Sequence, residues 1–188
     1  MTLQVMGIVG LPGSGKSEVA KALAKFDVPS VRMGDVVWNE LKRRSQNITE
    51  ANVGKLSNEF RKEEGMGAIA KRCVPLIEDS GKGKKAIVVD GIRGIAEVEE
   101  FRKSFGKNFR AIGVWSSQET RYLRIASRKR ADDTITKESF REKDQRELSW
   151  GLGDAIAMAD FMILNEGNIG GLREKTEEIF KKITGGKT

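Results

Sequence analysis

The amino-acid sequence predicts an α/β fold, a doubly wound five-stranded parallel sheet, and two observations carry that expectation. A short apolar run, Val5 to Val9, leads straight into the glycine-rich stretch GLPGSGKS at Gly10 to Ser17 and then into an amphipathic segment, Glu18 to Lys25. Four further apolar runs recur between helix-like segments. That alternation is the pattern of a parallel sheet covered on both faces.

Taken in order, the first strand spans Val5 to Val9, where continuous apolar residues suit burial on both faces. The helix after it places Val19, Ala22 and Leu23 on one side. Pro29 to Met33 is the second strand, ending at Gly34-Asp35, and two or three helices follow over Val36 to Arg44, Thr49 to Glu64 and Met66 to Asp79. Thr49 and Asn52 form only part of a capping box, so that start is approximate. Beyond the basic turn Gly81 to Lys85, Ala86 to Val89 is a buried strand ending in Asp90-Gly91. Ile95 to Ser104 reads as helix and Arg110 to Trp115 as strand. Ser117 to Arg130 and Lys137 to Ser149 read as helices around a polar bend. Phe161 to Leu164 is the last strand, and Gly171 to Ile183 closes the chain as an amphipathic helix. No repeat or low-complexity linker interrupts the 188 residues, so a single domain over 1–188 is expected.

Gly10 to Ser17 fits the P-loop pattern G-x-x-x-x-G-K-S/T. Gly10, Gly13 and Gly15 allow backbone conformations closed to other residues, so successive N–H groups can turn inward. With the positive end of the next helix, those amides make a polyphosphate site. Leu11, Pro12 and Ser14 complete the loop, with Pro12 stiffening it. Lys16 would neutralise the outer phosphates, and the Ser17 hydroxyl would be one ligand of a Mg2+ bridging them. These residues predict nucleotide binding.

Composition narrows the chemistry. With no histidine and the single cysteine Cys73, zinc sites, histidine bases and an internal disulfide are out of reach. Catalysis would run on Lys, Arg, Asp and Mg2+. The lone cysteine, the absence of a membrane-length apolar run and the lack of a signal-peptide pattern point to a cytoplasmic protein without membrane contact. The net charge of +7 raises RNA as a partner. Because acidic residues are interspersed with the basic ones, a solvated surface and an arginine-lined phosphate cleft are favoured over RNA.

Several other residues could carry chemistry. Asp90 ends a buried run, where a carboxylate is costly unless paired. It fits the magnesium shell beside the P-loop, or else an N-cap for the next segment. Arg93 could grip an anionic acceptor or lie free on the surface. Asp35 could position an acceptor hydroxyl, act as its base, or cap a helix. Arg61 could bind an acceptor, or pair along its helix with Glu59, Glu63 and Glu64. Arg121, Arg124, Arg128, Arg130 and Arg141, with Asp132 and Asp133 among them, could close over the phosphates as a lid or form a charged, solvated hairpin.

On these residues the chain resembles the nucleoside monophosphate kinases, typified by adenylate kinase. The shared islands are the P-loop, Gly34-Asp35, Asp90-Gly91, the run Arg130 to Asp133, and Arg141 eleven positions after Arg130. The resemblance implies ATP as donor, an acceptor-binding helical insertion at about 34–80 and a lid at about 121–149. It also implies that Arg130 and Arg141 contact the migrating phosphate and the acceptor, with Arg128 beside the nucleotide. Ala159 to Gly167, ADFMILNEG, is more similar to dephospho-coenzyme A kinase, which implies Asn165 and Gly167 against the adenine base. In overall order, with DGIR at Asp90 to Arg93 and LSNEFRKEEG at Leu56 to Gly65, the chain most resembles an archaeal family of kinase-like P-loop proteins. Two departures from adenylate kinase touch the acceptor side. Trp38 stands where those enzymes carry an arginine, and Arg93 follows Asp90 by three positions instead of four.

The expected activity is Mg-ATP-dependent phosphoryl transfer to a small nucleotide-like or phosphorylated acceptor. Both the nucleoside monophosphate and the dephospho-coenzyme A type remain open, as does the oligomeric state. The alternative is an ATPase switch acting on an RNA or protein partner.

Overall fold

Strands β1 (Gln4–Val9), β2 (Ser30–Arg32), β3 (Ala86–Asp90), β4 (Phe109–Trp115) and β5 (Phe161–Leu164) pair in parallel in the order β2-β3-β1-β4-β5. The computed structural model describes residues 2–127 and 136–185. Its helices are α1 (Lys16–Ala24), α2 (Gly34–Arg43), α3 (Glu50–Glu64), α4 (Ala68–Ser80), α5 (Ile95–Phe105), α6 (Gln118–Ala126), α7 (Lys137–Ser149), α8 (Leu152–Ala157) and α9 (Ile169–Thr184).

The sheet separates two cores by the period-two alternation of strand side chains. Val5 and Val9 of β1, Ile87 and Val89 of β3, and Phe109 and Ala111 of β4 face one core, which α2 to α5 and α8 complete with Leu41, Phe60, Ile77, Phe101 and Leu152. Met6, Ile8, Val88, Ile112 and Val114 face the other, covered by Val19 and Leu23 of α1 and Leu172, Ile179 and Phe180 of α9. Burial on both faces explains why these strands read as unbroken apolar runs.

Boundaries follow local chemistry. The Thr49 side chain accepts from Asn52 N–H at 3.2 Å and starts α3. Gly65, at φ 89, ends it. The Ser117 side chain caps α6 through Thr120 N–H, and Thr136 caps α7 through Ser139 N–H. The short α8, absent from the sequence expectation, starts after Gly151 at φ 82. In a segment of glycines and alanines, only tertiary packing fixes so short a helix.

Cys73 lies fully buried in the larger core, with its thiol directed at the Met33 carbonyl at 3.8 Å. Burial pushes the thiol up to about 12. A thiol reagent at about pH 8 is therefore expected to leave the native protein unlabelled and to label it fully in denaturant. Rapid labelling of native protein would contradict this packing.

Candidate active site

The candidate functional segments leave the sheet at its carboxyl edge. Gly10 follows β1, Asp90 ends β3, Ser116 follows β4 and Asn165 follows β5. With β1 between β3 and β4, the P-loop sits where the strand order reverses, the usual crevice of an open α/β sheet.

The loop needs its glycines. Gly13 and Gly15 adopt φ of 81° and 108°, a region that side-chain-bearing residues rarely enter. A Cβ on Gly15 would also collide with the Asn165 carboxamide. Ser14 N–H donates to Leu11 O at 3.1 Å, and Glu18 N–H to Gly15 O at 2.9 Å. Lys16 Nζ donates to Gly10 O at 2.6 Å and to Leu11 O at 3.2 Å, so its ammonium lies against the loop. Burial pushes the Lys16 amine below its ordinary value; Asp90 and Glu147 oppose that shift, while Arg93 and Arg121 add to it. All four charges therefore gather near this amine. Ser14 Oγ is buried without a hydrogen-bond partner among the described residues. An orphaned polar atom inside an amide-rich loop that ends in Lys16 and Ser17 fits a polyphosphate.

The loop is braced from behind. Asn165 Nδ2 donates to Ser14 O at 2.8 Å. Arg124 donates to Ser116 Oγ and to Asn165 O, each at 2.9 Å. Arg121 donates to Pro12 O at 3.1 Å and pairs through both terminal nitrogens with Asp144 of α7, at 2.8 and 2.6 Å. Two expectations change here. The Asn165 carboxamide is committed to the phosphate loop instead of facing a base, because a buried amide must satisfy its donors where it stands. Arg121, buried, and Arg124, half-buried, are supports under the loop and not lid arginines. Gly167 is exposed, with open space where a side chain would stand.

Beside the loop opens a cleft of about 480 Å3 lined by α2, α3, α5, α7 and the turn after β3. Arg61 and Arg93 both line it, and both guanidinium groups lie over the Trp150 ring, at 5.9 and 5.3 Å from its centroid. Arg61 does not pair along its own helix. Glu59 is taken by Arg44 and Glu64 by Arg72, which leaves Arg61 facing Glu97 at 3.8 Å. Arg93 donates to Glu147 Oε1 at 2.8 Å, and its N–H donates to Glu97 Oε2 at 2.7 Å. Burial pushes the Glu97 carboxyl up, against the pull of that N–H and of Arg61. Lys143 and Arg146 line the cleft from α7.

The remaining expected residues fall in different places. Asp90 does not cap α5, whose first turn follows Gly94 without a side-chain cap. Its carboxylate stands at the end of β3, with its charge felt at Lys16. Mg2+ asks for one or two protein oxygens plus phosphates and water, and Ser17 with Asp90 supplies that donor set. Asp35 lies outside the lining of the cleft. Its carboxylate pairs with Arg32 at 3.0 Å in the first turn of α2, so the acceptor role expected for it is not what its contacts serve. Arg141 lines a separate pocket of about 340 Å3 with Tyr122, Lys137 and Phe140. At about 100° per residue, Arg141 projects from the opposite flank of α7 to Lys143 and Arg146. Arg128 and Arg130, with Asp132 and Asp133, lie outside the described residues.

Sequence reasoning missed Asp144, Glu147, Lys143, Arg146, Trp150 and Glu97. One signal was present. Phe140, Asp144 and Glu147 follow an i, i+4, i+7 stripe, the spacing of a buried helix face, with carboxylates where apolar residues would normally stand.

Comparison with known proteins concerns the family and the fold. The AAA domain family matches residues 9–141. A UPF0200/UPF0201 protein of Archaeoglobus fulgidus is 45% identical over 97% of this chain; the chain spans only 57% of that relative's length. A UPF0200 protein of Methanosarcina mazei is 40% identical over 94% of both chains. Among solved structures, dephospho-CoA kinase from Campylobacter jejuni superimposes with a TM-score of 0.61 at 14% identity, covering 98% of this chain and 99% of that one. At that identity the likeness concerns the fold alone.

Proposed function

This chain belongs to the UPF0200 family, with the P-loop of an AAA domain, and from that premise we propose that it is a Mg-ATP-dependent phosphotransferase acting on a small anionic acceptor. The observation that carries the reading is the joining of two compartments. A phosphate loop and a charged cleft of about 480 Å3, lined by Arg61, Arg93, Lys143 and Arg146 with Glu50, Glu97 and Glu147, meet at the Arg93–Glu147 pair, whose two charges both reach Lys16. A pure hydrolase needs only the first compartment.

In this reading the amides of Gly13 to Ser17 hold the ATP phosphates, and Lys16 balances charge on the group in transit. Ser17 and Asp90 hold Mg2+, which when bound neutralises the phosphate oxygens. Arg61, Lys143 and Arg146 hold the acceptor through its anionic group. Phosphoryl transfer asks little covalent work of the protein, so positioning and electrostatics dominate.

The test is ADP release with product identification across nucleoside monophosphates, dephospho-coenzyme A and phosphorylated sugars. A phosphorylated acceptor formed faster than free phosphate is the expected result. Hydrolysis stimulated by RNA, with no phosphorylated product from any acceptor, would replace this reading with that of an ATPase switch.

A further inference from the structure

We infer that the acceptor reacts through a hydroxyl group, with the Glu147 carboxylate receiving its proton, and that the acceptor's anionic group sits apart from that hydroxyl on Arg61 and Arg146. The inference rests on the phosphotransferase reading above and names the class of substrate for that site.

It begins from the charges where the two compartments meet. Around Lys16 stand two carboxylates, Asp90 and Glu147, and two guanidinium groups, Arg93 and Arg121. Both arginines are already matched. Arg93 pairs with Glu147 at 2.8 Å, and Arg121 is held by Asp144. An acceptor that attacked through a phosphate oxygen would bring a second anion beside the γ-phosphate. It would meet Asp90 and Glu147 where Arg93 and Arg121, the guanidinium groups that reach Lys16 among the described residues, are already paired, and like charges at such a junction repel. An alcohol brings no charge there. It brings a proton that must leave as the oxygen attacks, and a positioned carboxylate is the group that takes one.

Glu147 meets that requirement and Asp35 does not. Glu147 lines the cleft, is 8% exposed, and has one oxygen, Oε1, fixed by Arg93. Asp35 is turned to Arg32 outside the lining. Less closely matched positive charge also lines the cleft. Arg61 meets its carboxylate, Glu97, only at 3.8 Å, and Lys143 and Arg146 extend the basic lining from the facing helix. The cleft thus offers a carboxylate and several cations from one lining, which suits an alcohol that carries its charge on another group. In the step itself the acceptor oxygen forms a bond to the γ-phosphorus of ATP, the bond from that phosphorus to the β,γ-bridging oxygen breaks, ADP leaves, and the hydroxyl proton passes to Glu147.

The linkage in the product decides the matter. Phosphorus NMR of the reaction with ATP, magnesium and the acceptor panel is expected to show a phosphate monoester. Glu147→Gln is expected to lower kcat for that reaction by roughly 100- to 10,000-fold, with acceptor KM and ATP affinity changed far less, and Glu147→Asp to restore part of the loss. A merely structural role for Glu147 would move KM and thermal stability together with kcat. A phosphoanhydride product, or a monoester formed equally well by Glu147→Gln, would overturn the inference and leave the phosphotransferase standing. No phosphorylated product from any acceptor would overturn both.

Discussion

Replacing Lys16 with alanine should lower turnover of Mg-ATP roughly 100- to 1,000-fold, the scale seen when one preorganised charge-stabilising group is removed from an active site. The reason lies in its surroundings. The amine is buried, it lies against Gly10 and Leu11 carbonyls, and its charge is the one that Asp90 and Glu147 favour at the mouth of the loop. Stability should not follow activity. Burial holds the Lys16 amine below its value in the unfolded chain, so the unfolded state binds the proton more tightly. Native stability from this group therefore rises as pH climbs from the lowered value toward the ordinary lysine value, and is least at neutral pH. Near neutrality, Lys16→Ala should melt no earlier than the parent protein. Isothermal calorimetry with Mg-ATP, beside a steady-state assay and a melt, checks both halves. Unchanged nucleotide affinity and turnover in the variant would remove the P-loop from the mechanism.

Arg121→Ala should destabilise the native protein by about 3–5 kcal/mol, the range for breaking a buried ion pair by deleting one partner. Both side chains are nearly inaccessible, at 4% for Arg121 and 6% for Asp144, and the pair is bidentate. The truncation strands the Asp144 carboxylate and also removes the donor to Pro12 O and the guanidinium that lies over Phe140. Replacing both residues together, as Arg121→Met with Asp144→Leu, should recover much of the loss, because apolar pairs of similar volume often substitute for buried charges. Equilibrium denaturation of the three variants measures it. A loss below about 1 kcal/mol for Arg121→Ala would show that the pair is solvated like a surface ion pair.

The sequence was most legible where one local pattern dictates one structure. Five apolar runs became five strands, and each observed strand begins and ends within a residue or so of its run: Ala86–Asp90 for Ala86 to Val89, and Phe161–Leu164 without change. The P-loop was legible for the same reason, since its glycines and Lys16 act within eight residues of chain. What local pattern could not carry was pairing across the chain. Arg121 in a run of arginines gives no sign that Asp144 will claim it. Arg61, with three glutamates nearby on its helix, gives none that it will face Glu97 and Trp150. Asp35 at a strand end looks like other strand-end aspartates until Arg32, three residues earlier, folds across to it. The phosphate loop is written in one segment. The cleft beside it is assembled from α2, α3, α5 and α7, and only the fold brings those pieces together.

Helix α7 has a mechanical consequence. One turn of it, through Asp144, grips the arginine that props the phosphate loop; the next, through Glu147, grips the arginine at the mouth of the cleft. A rigid rod pinned at two neighbouring points cannot tilt at one without tugging the other. Were filling one compartment to shift the grip on the other, thermodynamic reciprocity would require the two occupants to change each other's affinity by the same factor.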